Sequence, residues 1–500
     1  MKEEIAMALS RARVYVVPSM SFPAVMVLLW NYLILTQFYL IGPASSLVGN
    51  LEAIFYGCYT LFPFIGLLTD VYVGRYRAIT TGIILCFISW IILGIFFIMN
   101  NCYEFMGKMW IIPGYIINNI GIVTFKANVI QYSIDQLIGG SANELSTIIY
   151  WNIAAYPVAW VLYDSILLYF NPVTTEKVAI IIVASGVALS LVLVSHSLFK
   201  HKLENISLIK NPIKLIVRVL CYARKHKYPE NRSALTYWEE EAPSRLDLGK
   251  DKYGGPFTEE EVEDVKTFFR MLPLILIATF EVTSILLHIW VPRGDHIKKY
   301  SIDLHSLMFE DYGTYHITVL LLFFIYQFII RGCFHKYIPS MLTRMGAGIA
   351  FALLGCITQV LAQKFLLYDF LLLVEQVLTG TSCFLILPTS LEFTVAQSPE
   401  YMRGIMVGLC YFSFGIGYSC AFMLSHFVKT WYYYIIVCVL QLLILMVFVI
   451  LARRYKYRVR ENEVNIVQIV DDHYQRYMEQ EDEYERHQEI PESEIIIIED

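Results

Sequence analysis

The sequence predicts an all-α membrane protein that crosses the bilayer many times. Hydrophobic residues make up 57% of its 500 residues, which is more than a soluble globular domain carries. Apolar runs recur at the length of a membrane-spanning helix, about 20 residues. Lysine and arginine cluster in alternate connections between these runs, the pattern expected of connections that face the cytoplasm. Together these observations argue against a soluble enzyme.

The length of each apolar run and its flanking charges predict twelve spans. In chain order they are residues 19–41, 48–69, 77–99, 108–131, 144–169, 177–199, 268–290, 313–331, 337–362, 366–390, 402–427 and 430–452. Arg11 and Arg13 precede the first span, and Arg453 and Arg454 follow the last. By the positive-inside bias, both termini are predicted to face the cytoplasm.

The longest connection divides the spans six and six, which is the expected place for a linker between two repeats. This division predicts an N-terminal six-helix bundle over 1–199, a cytoplasmic linker over 200–267, a C-terminal six-helix bundle over 268–453 and an acidic cytoplasmic tail over 454–500. The tail is rich in glutamate and aspartate, a composition typical of partly disordered segments.

Two features of the linker predict helices. Residues 211–227 (NPIKLIVRVLCYARKHK) combine apolar and basic residues at helical spacing. Such a helix lies either on the anionic inner leaflet or in solvent as an ordinary surface helix, and the sequence leaves both open. Thr258 and Glu261 form a T-x-x-E capping box, which predicts a helix that starts there and continues into span seven.

Lys126 lies within the long apolar run of span four. A lysine at the centre of a membrane helix costs roughly 2.5–3.5 kcal/mol on insertion scales, so such residues are functional candidates. Asn119 lies seven residues earlier and shares its helical face, which predicts one polar stripe on this span. The alternative is a lysine that snorkels to the interface, although apolar sequence continues beyond it through Ile130.

The connection between spans two and three, GLLTDVYVGRYRAITTG, contains Asp70, Gly74 and Arg75. Glycines allow two helices to approach closely, and an Asp–Arg pair can hold the helix ends in one conformation. We interpret these residues as a cytoplasmic gate. The simpler alternative is that Arg75 and Arg77 only fix the topology.

Other chemistries find little support in the composition. The net charge of −6 and the lack of a basic arm give no sign of nucleic-acid binding. The ten cysteines are scattered without a CxxC pair, so we interpret them as packing residues and expect no metal site. Neither HExxH, a nucleophile elbow nor a phosphate-binding loop is present, so we expect no enzyme activity and no cofactor.

Three ordered motifs carry a family resemblance: GLLTDVYVGRY (66–76), GIVTFKANVIQYSIDQL (121–137) and LPTSLEFTVAQSPEYMRGIMVG (387–408). Their order and spacing resemble the proton-dependent oligopeptide transporter family over most of the chain. The linker sequence resembles an animal branch of it, near the peptide/histidine carriers. The resemblance implies the major-facilitator fold, with two six-helix bundles around a central cavity that opens to alternate sides.

The resemblance also assigns roles in span one and span four. Lys126 matches the family's cavity lysine within FKAN. Most members carry E-x-x-E-R in span one, where the acids couple protons and pair with this lysine. The chain has Leu33, Thr36 and Gln37 at those positions, so the motif is absent.

Spans five and ten depart from the family as well. Members often place a glutamate in span ten, eight residues before the leucine of LEF, where this chain has Cys383. The asparagine and glycine of the span-five signature become Pro157 and Ala159. These departures fall at positions that are functional in the family.

Two acids are candidates to balance the charge of Lys126. Glu281 lies eight residues after Pro273, as the family's span-seven acid does, and Glu375 lies early in span ten. A buried lysine tends to lose its proton and a buried glutamate to gain one unless they are paired. Our hypothesis is that Lys126 pairs with Glu281, or less favourably with Glu375, across the cavity; the alternative is that cavity water solvates each carboxylate.

Further polar residues complete the candidate pathway for substrate and protons: Asn31, Gln37, Tyr39, Tyr59, Asn119 and Asn152. Glu392 is interpreted as a structural cap or gate residue. The resemblance implies a secondary carrier of small peptides or amino-acid-like solutes, driven by protons, in the plasma membrane or an endolysosomal membrane. An uncoupled carrier, a carrier of another solute, and a non-transporting scaffold that binds cytoplasmic partners through its linker or tail remain open.

Overall fold

The computed structural model describes residues 21–46, 58–103, 111–137, 142–169, 175–204, 211–226, 244–290, 313–334, 337–362, 368–427, 432–455 and 457. Contacts divide the chain into two compact units, Met1–Arg454 and Tyr455–Asp500. In the second unit, the rings of Tyr455 and Tyr457 meet edge to face with centroids 5.6 Å apart. The first unit contains all the helices named below.

Among the described residues of this unit, six helices lie in its first part and seven in its second. The first six are α1 (Phe22–Ser46), α2 (Phe62–Leu68), α3 (Arg75–Tyr103), α4 (Ile111–Asp135), α5 (Ala142–Tyr169) and α6 (Thr175–Leu198). A 3-10 turn, Tyr59–Leu61, precedes α2, and a π-helical turn, Thr69–Val73, follows it. Such π turns occur often at functional sites.

Seven helices follow. They are α7 (Pro212–Lys225), α8 (Glu259–Trp290), α9 (Gly313–Phe324), α10 (Met341–Ala362), α11 (Tyr368–Gln397), α12 (Arg403–Phe427) and α13 (Tyr432–Arg454). A second π-helical turn, Ile325–Ile330, and a short helix, Arg331–Cys333, continue α9. The amphipathic segment of the linker forms α7, and its Asn211 side chain caps the helix by accepting from the Ile213 and Lys214 amides.

Eight helices of the described chain are long and apolar enough to cross a membrane. They confirm the all-helical, multi-pass class; the count of twelve spans and the division into two bundles stay predictions. Most observed ends lie within four residues of the predicted ones. The larger differences are at the end of α1, which is Ser46 rather than residue 41, at the start of α8, which is Glu259 rather than residue 268, and at the end of α11, which is Gln397 rather than residue 390. Residues 48–57 of the second predicted span lie outside the described residues, and α2 covers Phe62–Leu68 of it.

The early start of α8 agrees with the capping box. The Glu261 amide donates to Thr258 Oγ1 at 3.2 Å, and the Thr258 amide donates back to Glu261 Oε2 at 3.1 Å. This reciprocal pair satisfies two amides that the first turn of a helix leaves without a partner. The helix therefore begins outside the apolar span and enters it as one rigid element.

Side-chain burial follows the pattern of a protein surrounded by lipid. Large aromatic side chains fill the interior, among them Trp30, Phe125, Tyr132 and Phe393. The outer face of α3 instead exposes an apolar row spaced by three and four residues: Ile84, Ile88, Ile91, Ile95 and Ile98. That spacing places the row along one helix face, where it suits contact with acyl chains.

The position of α4 depends on a close crossing with α3. A Cβ atom added to Gly82 would lie 2.8 Å from the Gly121 carbonyl oxygen, and one added to Gly121 would lie 2.9 Å from the Gly82 carbonyl oxygen. Small residues at both sides of the crossing let the backbones touch. Because Lys126 follows Gly121 by little more than one turn, this crossing fixes where its backbone lies.

Candidate functional site

A small cavity lies between α5, α9 and α11. Its volume is about 50 Å³ and its surface is almost entirely apolar. The lining residues are Tyr150, Ile153, Ala154, Tyr156, Pro157, Tyr315, His316, Val319, Phe323, Cys383, Phe384, Leu387 and Pro388. A water molecule needs roughly 10–15 Å³ of such space, so by volume alone the cavity has room for a few waters.

Tyr156 joins three helices beside this cavity. The Lys126 Nζ atom of α4 lies 5.7 Å from the centroid of the Tyr156 ring, within the range of a cation–π contact. The Tyr39 ring of α1 meets it edge to face at 5.7 Å, and the His316 ring of α9 lies at the same distance. Tyr156 therefore stands between a lysine and a histidine that come from different helices.

His316 is buried within aromatic rings. Its ring stacks on Trp160 with centroids 4.1 Å apart and meets the edge of Tyr315 at 4.7 Å. Its Nδ1 atom has no hydrogen-bond partner among the described residues. A buried polar atom in that state requires an explanation, such as a water molecule, a proton or a polar solute in the adjoining cavity.

The family's polar positions in spans five and ten border this cavity in a less polar form. Pro157 and Cys383 line it, and the Tyr315 hydroxyl donates to Cys383 Sγ at 2.8 Å. Ala159 packs with Leu35 and Ala155. The replacements therefore give a more apolar cavity wall than the resemblance implies.

A buried arginine network closes the cavity on the side of Tyr150. Arg344 of α10 donates to the Tyr150 hydroxyl at 2.7 Å, to the Tyr326 hydroxyl at 3.0 Å and to Glu392 Oε2 at 2.9 Å. The Tyr150 and Tyr326 rings stack at 4.8 Å. Glu392 thus lies in a network that joins α5, α10, α11 and the π turn after α9; its role as a cap or gate stays a prediction.

Amides cluster between α1 and α4. The Gln37 side chain donates to Asn118 Oδ1 at 3.4 Å, and Asn119 is fully buried. Gln37 Oε1, Asn118 Nδ2 and both polar atoms of Asn119 have no hydrogen-bond partner in the described part of the chain. Such atoms are usually satisfied by water or a ligand.

Asn31 and Asn152 form a separate link. Asn31 Nδ2 donates to the Asn152 carbonyl oxygen at 2.9 Å and to its Oδ1 at 3.2 Å. Asn152 Nδ2 donates to the Ile148 carbonyl within α5. These two residues therefore connect α1 to α5.

Asp70, Gly74 and Arg75 meet at one end of the bundle. Arg75 Nε donates to Asp70 Oδ1 at 2.7 Å, and Arg75 Nη1 donates to Asp135 Oδ1 of α4 at 2.7 Å. Gly74 has φ 88° and ψ 141° and donates its amide to the Thr69 carbonyl, which ends the π turn. Only glycine adopts this backbone conformation without strain. The cluster ties together the ends of α2, α3 and α4.

The remaining predicted residues do not meet at the cavity in the described structure. Glu375 is buried; it accepts from Thr379 on its own helix, and it precedes Phe384 by nine residues, which places it on the opposite face of α11. The Glu281 and Tyr59 side chains lie outside the described residues, although their backbones belong to α8 and the turn before α2. The pairing of Lys126 with either acid stays a prediction.

Sequence reasoning did not select Tyr156, His316 or Arg344. Aromatic residues at 156, 160 and 163 follow one face of α5, and His316 is an ionisable residue in an apolar span. The aromatic row and the histidine in an apolar span could therefore have been recognised in the sequence as candidate site residues. Arg344 gives no such signal, because a charge near the end of a predicted span is usually solvated and then marks only the topology. Among the described residues, no group of three His, Cys, Asp or Glu side chains could hold a metal ion.

Comparison with known proteins identifies the family. The model of the POT family (PTR2) matches residues 178–436, which is more than half of the chain. The crystal structure of an auto-inhibited POT family peptide transporter matches with a TM-score of 0.64 at 15% identity, covering 88% of this chain and 98% of that one. The POT family transporter PepTSo matches with a TM-score of 0.64 at 16% identity, covering 87% and 99%. The two structures show the shared fold, and the family match shows that the chain belongs to the POT family of transporters.

Proposed function

We propose that the chain is a secondary carrier of small peptides or amino-acid-like solutes that works by alternating access. The observation that supports this most directly is the position of Tyr156 between Lys126 and His316 beside a cavity. Solved family members at 14% identity were in complex with 5-aminolevulinic acid and with a thioalcohol-conjugated peptide. Small zwitterionic solutes are therefore the class to test first.

The residues around the cavity suit such a solute. Lys126 supplies a positive charge for a carboxylate, because a charge-assisted hydrogen bond is stronger than a neutral one. The aromatic and aliphatic walls suit the apolar part of a side chain. The side-chain amides of Asn118, Asn119 and Gln37 each have at least one donor or acceptor atom without a hydrogen-bond partner in the described structure, and these atoms could bind the polar groups of a solute. These groups lie on α1, α4 and α5, so one solute would bridge several helices.

We propose that the cavity between α5, α9 and α11 is a closed form of this site. A cavity of about 50 Å³ is smaller than the roughly 300–1,000 Å³ of ligand pockets. A dipeptide enters only if α5 and α9 separate, which breaks the Trp160–His316 stack and the Trp151–Phe323 contact at 4.9 Å. We therefore propose that separation of α5 from α9 is one step of the transport cycle.

Proton coupling is a further part of the proposal. Leu33 and Thr36 are neutral side chains in place of the family's span-one acids, and Gln37, which stands in place of the arginine of that motif, is bound to Asn118. Lys126 and His316 can carry a proton beside the cavity, and Glu281 is the candidate acid of span seven. We propose that coupling, where it occurs, uses these groups. From the positive-inside bias we propose that both termini face the cytoplasm. The proposed location is the plasma membrane or an endolysosomal membrane.

Uptake into proteoliposomes tests the proposal. The purified full chain is supplied with a labelled dipeptide or with histidine, with and without an inward proton gradient. Lys126→Gln is expected to lower uptake roughly 10- to 100-fold, the loss of one charge-assisted hydrogen bond. Lys252→Gln, a change at an exposed lysine in the linker, serves as the matched control and should leave uptake unchanged.

The outcomes separate the candidate functions. Accumulation that requires the gradient supports proton coupling, and equilibration that ignores it supports an uncoupled carrier. Absence of flux for both solutes, with the fold intact by thermal unfolding, contradicts the carrier proposal. Recovery of a cytoplasmic partner bound to the linker or tail would then favour a non-transporting scaffold.

A further inference from the structure

The linker helix α7 (Pro212–Lys225) has two apolar faces, and the protein covers one of them. The covered face consists of Pro212, Ile216, Val219 and Ala223. The second face has Ile213, Val217 and Leu220, whose exposed fractions are 39%, 50% and 39%. Their spacing of four and three residues places these side chains in one row along the helix. An exposed apolar row of this length marks a surface that meets something other than water.

Contacts with the second part of the linker hold α7 in place. The Tyr222 ring meets Phe257 edge to face at 5.9 Å, and the Arg218 guanidinium lies 5.4 Å from the centroid of the same ring. The helix also packs on the turn Asp247–Gly249 and on α8. The helix is therefore docked to the protein on one side, and its exposed row points away from that contact.

Cations border the exposed apolar row. Arg224 follows Leu220 by four residues and so continues the row, whereas Lys214 and Lys225 lie on the adjacent strip. All three are exposed. Acidic residues are absent between Pro212 and Lys225. The free side of α7 therefore combines apolar side chains with positive charge, the composition of helices that lie in a membrane interface.

The position of α7 along α8 agrees with an interfacial location. At 32 residues α8 is about 48 Å long, whereas the hydrocarbon core measures about 30 Å. Its first nine residues precede the predicted span, and Phe257, which Tyr222 and Arg218 of α7 contact, lies two residues before α8 begins. Polar headgroup layers account for the remaining thickness of a bilayer, roughly 5–8 Å on each side. The nine residues before the span are about 14 Å long, so α7 lies beyond the headgroup layer by less than the diameter of a helix, roughly 10–12 Å.

We propose that α7 is an interfacial helix that binds anionic phospholipid headgroups of the bilayer that the chain spans. The row Ile213, Val217 and Leu220 enters the headgroup–acyl boundary, and Lys214, Arg224 and Lys225 bind the phosphate and carboxylate groups. Charge complementarity selects anionic over zwitterionic lipid. This site is separate from the cavity, so its test is independent of transport.

Cys221 offers a natural position for a depth probe. It is exposed and lies on the same strip as Lys214 and Lys225. We attach an environment-sensitive fluorophore to the full chain carrying Cys333→Ser, which removes the other exposed cysteine of the described residues. The same chain with Cys221→Ser corrects for labelling elsewhere. Nanodiscs contain phosphatidylcholine alone or phosphatidylcholine with phosphatidylserine, and brominated lipid and iodide quench from the lipid and aqueous sides.

The expected result is quenching by brominated lipid in phosphatidylserine nanodiscs, with protection from iodide. High salt should weaken both the quenching by brominated lipid and the protection from iodide. Lys214→Gln with Arg224→Gln and Lys225→Gln should weaken partition into anionic lipid on the order of 100-fold, whereas Lys252→Gln should not. Ile213→Asn with Val217→Asn and Leu220→Asn should restore access to iodide without loss of the folded state by thermal unfolding.

Two results would overturn the proposal. Equal access to iodide in both lipid mixtures would show that α7 stays in water. Protection from iodide that persists in detergent, without lipid, would show that protein covers the face.

Discussion

Gly404→Ala tests whether the contact between α2 and α12 is specific to one conformation. Gly404 lies in the first turn of α12, and a Cβ atom added there would collide with Asp70 Oδ2. A Cβ added to Gly66 of α2 would in turn lie 3.2 Å from the Gly404 carbonyl oxygen. The Phe62 and Tyr411 rings stack at 4.8 Å in the same interface. An alanine must therefore push α2 away or displace the Asp70 carboxylate from Arg75.

The size of the effect follows from this geometry. Overpacking a closely packed contact costs typically 1–3 kcal/mol. If the contact breaks when the carrier opens at this end, the substitution shifts the closed–open equilibrium about 5- to 150-fold towards the open form. Backbone amides of residues 62–73 should then exchange with solvent faster by that factor. Hydrogen exchange followed by mass spectrometry in detergent measures it.

Gly346→Ala is the matched control, because a Cβ atom there would lie 3.4 Å from Phe448, an ordinary contact. A double-mutant cycle with Asp70→Ala locates the cause: the two changes should be non-additive, since the clash involves the Asp70 carboxylate. Unchanged exchange in Gly404→Ala would refute the account of this interface. A fall in stability with unchanged exchange of residues 62–73 would show that the contact exists in every conformation.

Two further predictions concern charged clusters. Arg344→Gln should lower the free energy of unfolding by about 3–5 kcal/mol in denaturant, because the largely buried Glu392 is left without its cation. The double variant Arg344→Met with Glu392→Leu should lose less stability. Equal losses of stability in the two variants would contradict this prediction. In the linker, burial raises the pKa of Asp247, but hydrogen bonds from Lys266 and Ser244 outweigh this effect and hold the pKa below its ordinary value. Burial lowers the pKa of Lys250, but its hydrogen bonds to Glu263 and Asp247 outweigh this effect and raise the pKa. An acid with a lowered pKa stabilises the folded linker above about pH 4, and a lysine with a raised pKa stabilises it below about pH 10. The hydrogen-exchange protection factors of residues 244–266 should therefore stay constant from about pH 5 to 8 and fall below about pH 4. A fall in these protection factors near pH 6 would contradict this prediction.

The sequence predicted the elements better than the contacts between them. Apolar runs and the Thr258–Glu261 box are local signals: eight described helices long enough to cross a membrane lie where apolar runs predicted them, and α8 begins at the box. The ion pair of Arg75 with Asp135 and the stack of Trp160 on His316 join residues far apart in the chain. Hydropathy carries no information on such pairs, because it does not say which faces of two helices meet.

The departures at functional positions illustrate the same limit. Cys383 and Pro157 were recognised as replacements, but the sequence did not show that both line one cavity with His316. Nor did it show that Gln37 contacts Asn118. The resemblance located the lysine, and the fold supplied its neighbour Tyr156.

The two polar regions differ in how completely the chain satisfies them, and this difference bears on transport. At the end formed by Asp70, Arg75 and Asp135, each carboxylate has an arginine partner at 2.7 Å, so this end is stable without any ligand. Beside the cavity, His316 Nδ1 has no hydrogen-bond partner among the described residues, and between α1 and α4 the same holds for both polar side-chain atoms of Asn119. A solute that satisfies these atoms in one conformation better than in another shifts the equilibrium by that difference in affinity. If the chain works as the proposed carrier, a bound solute would act on its conformation through these buried polar atoms rather than through the ion pairs at the other end.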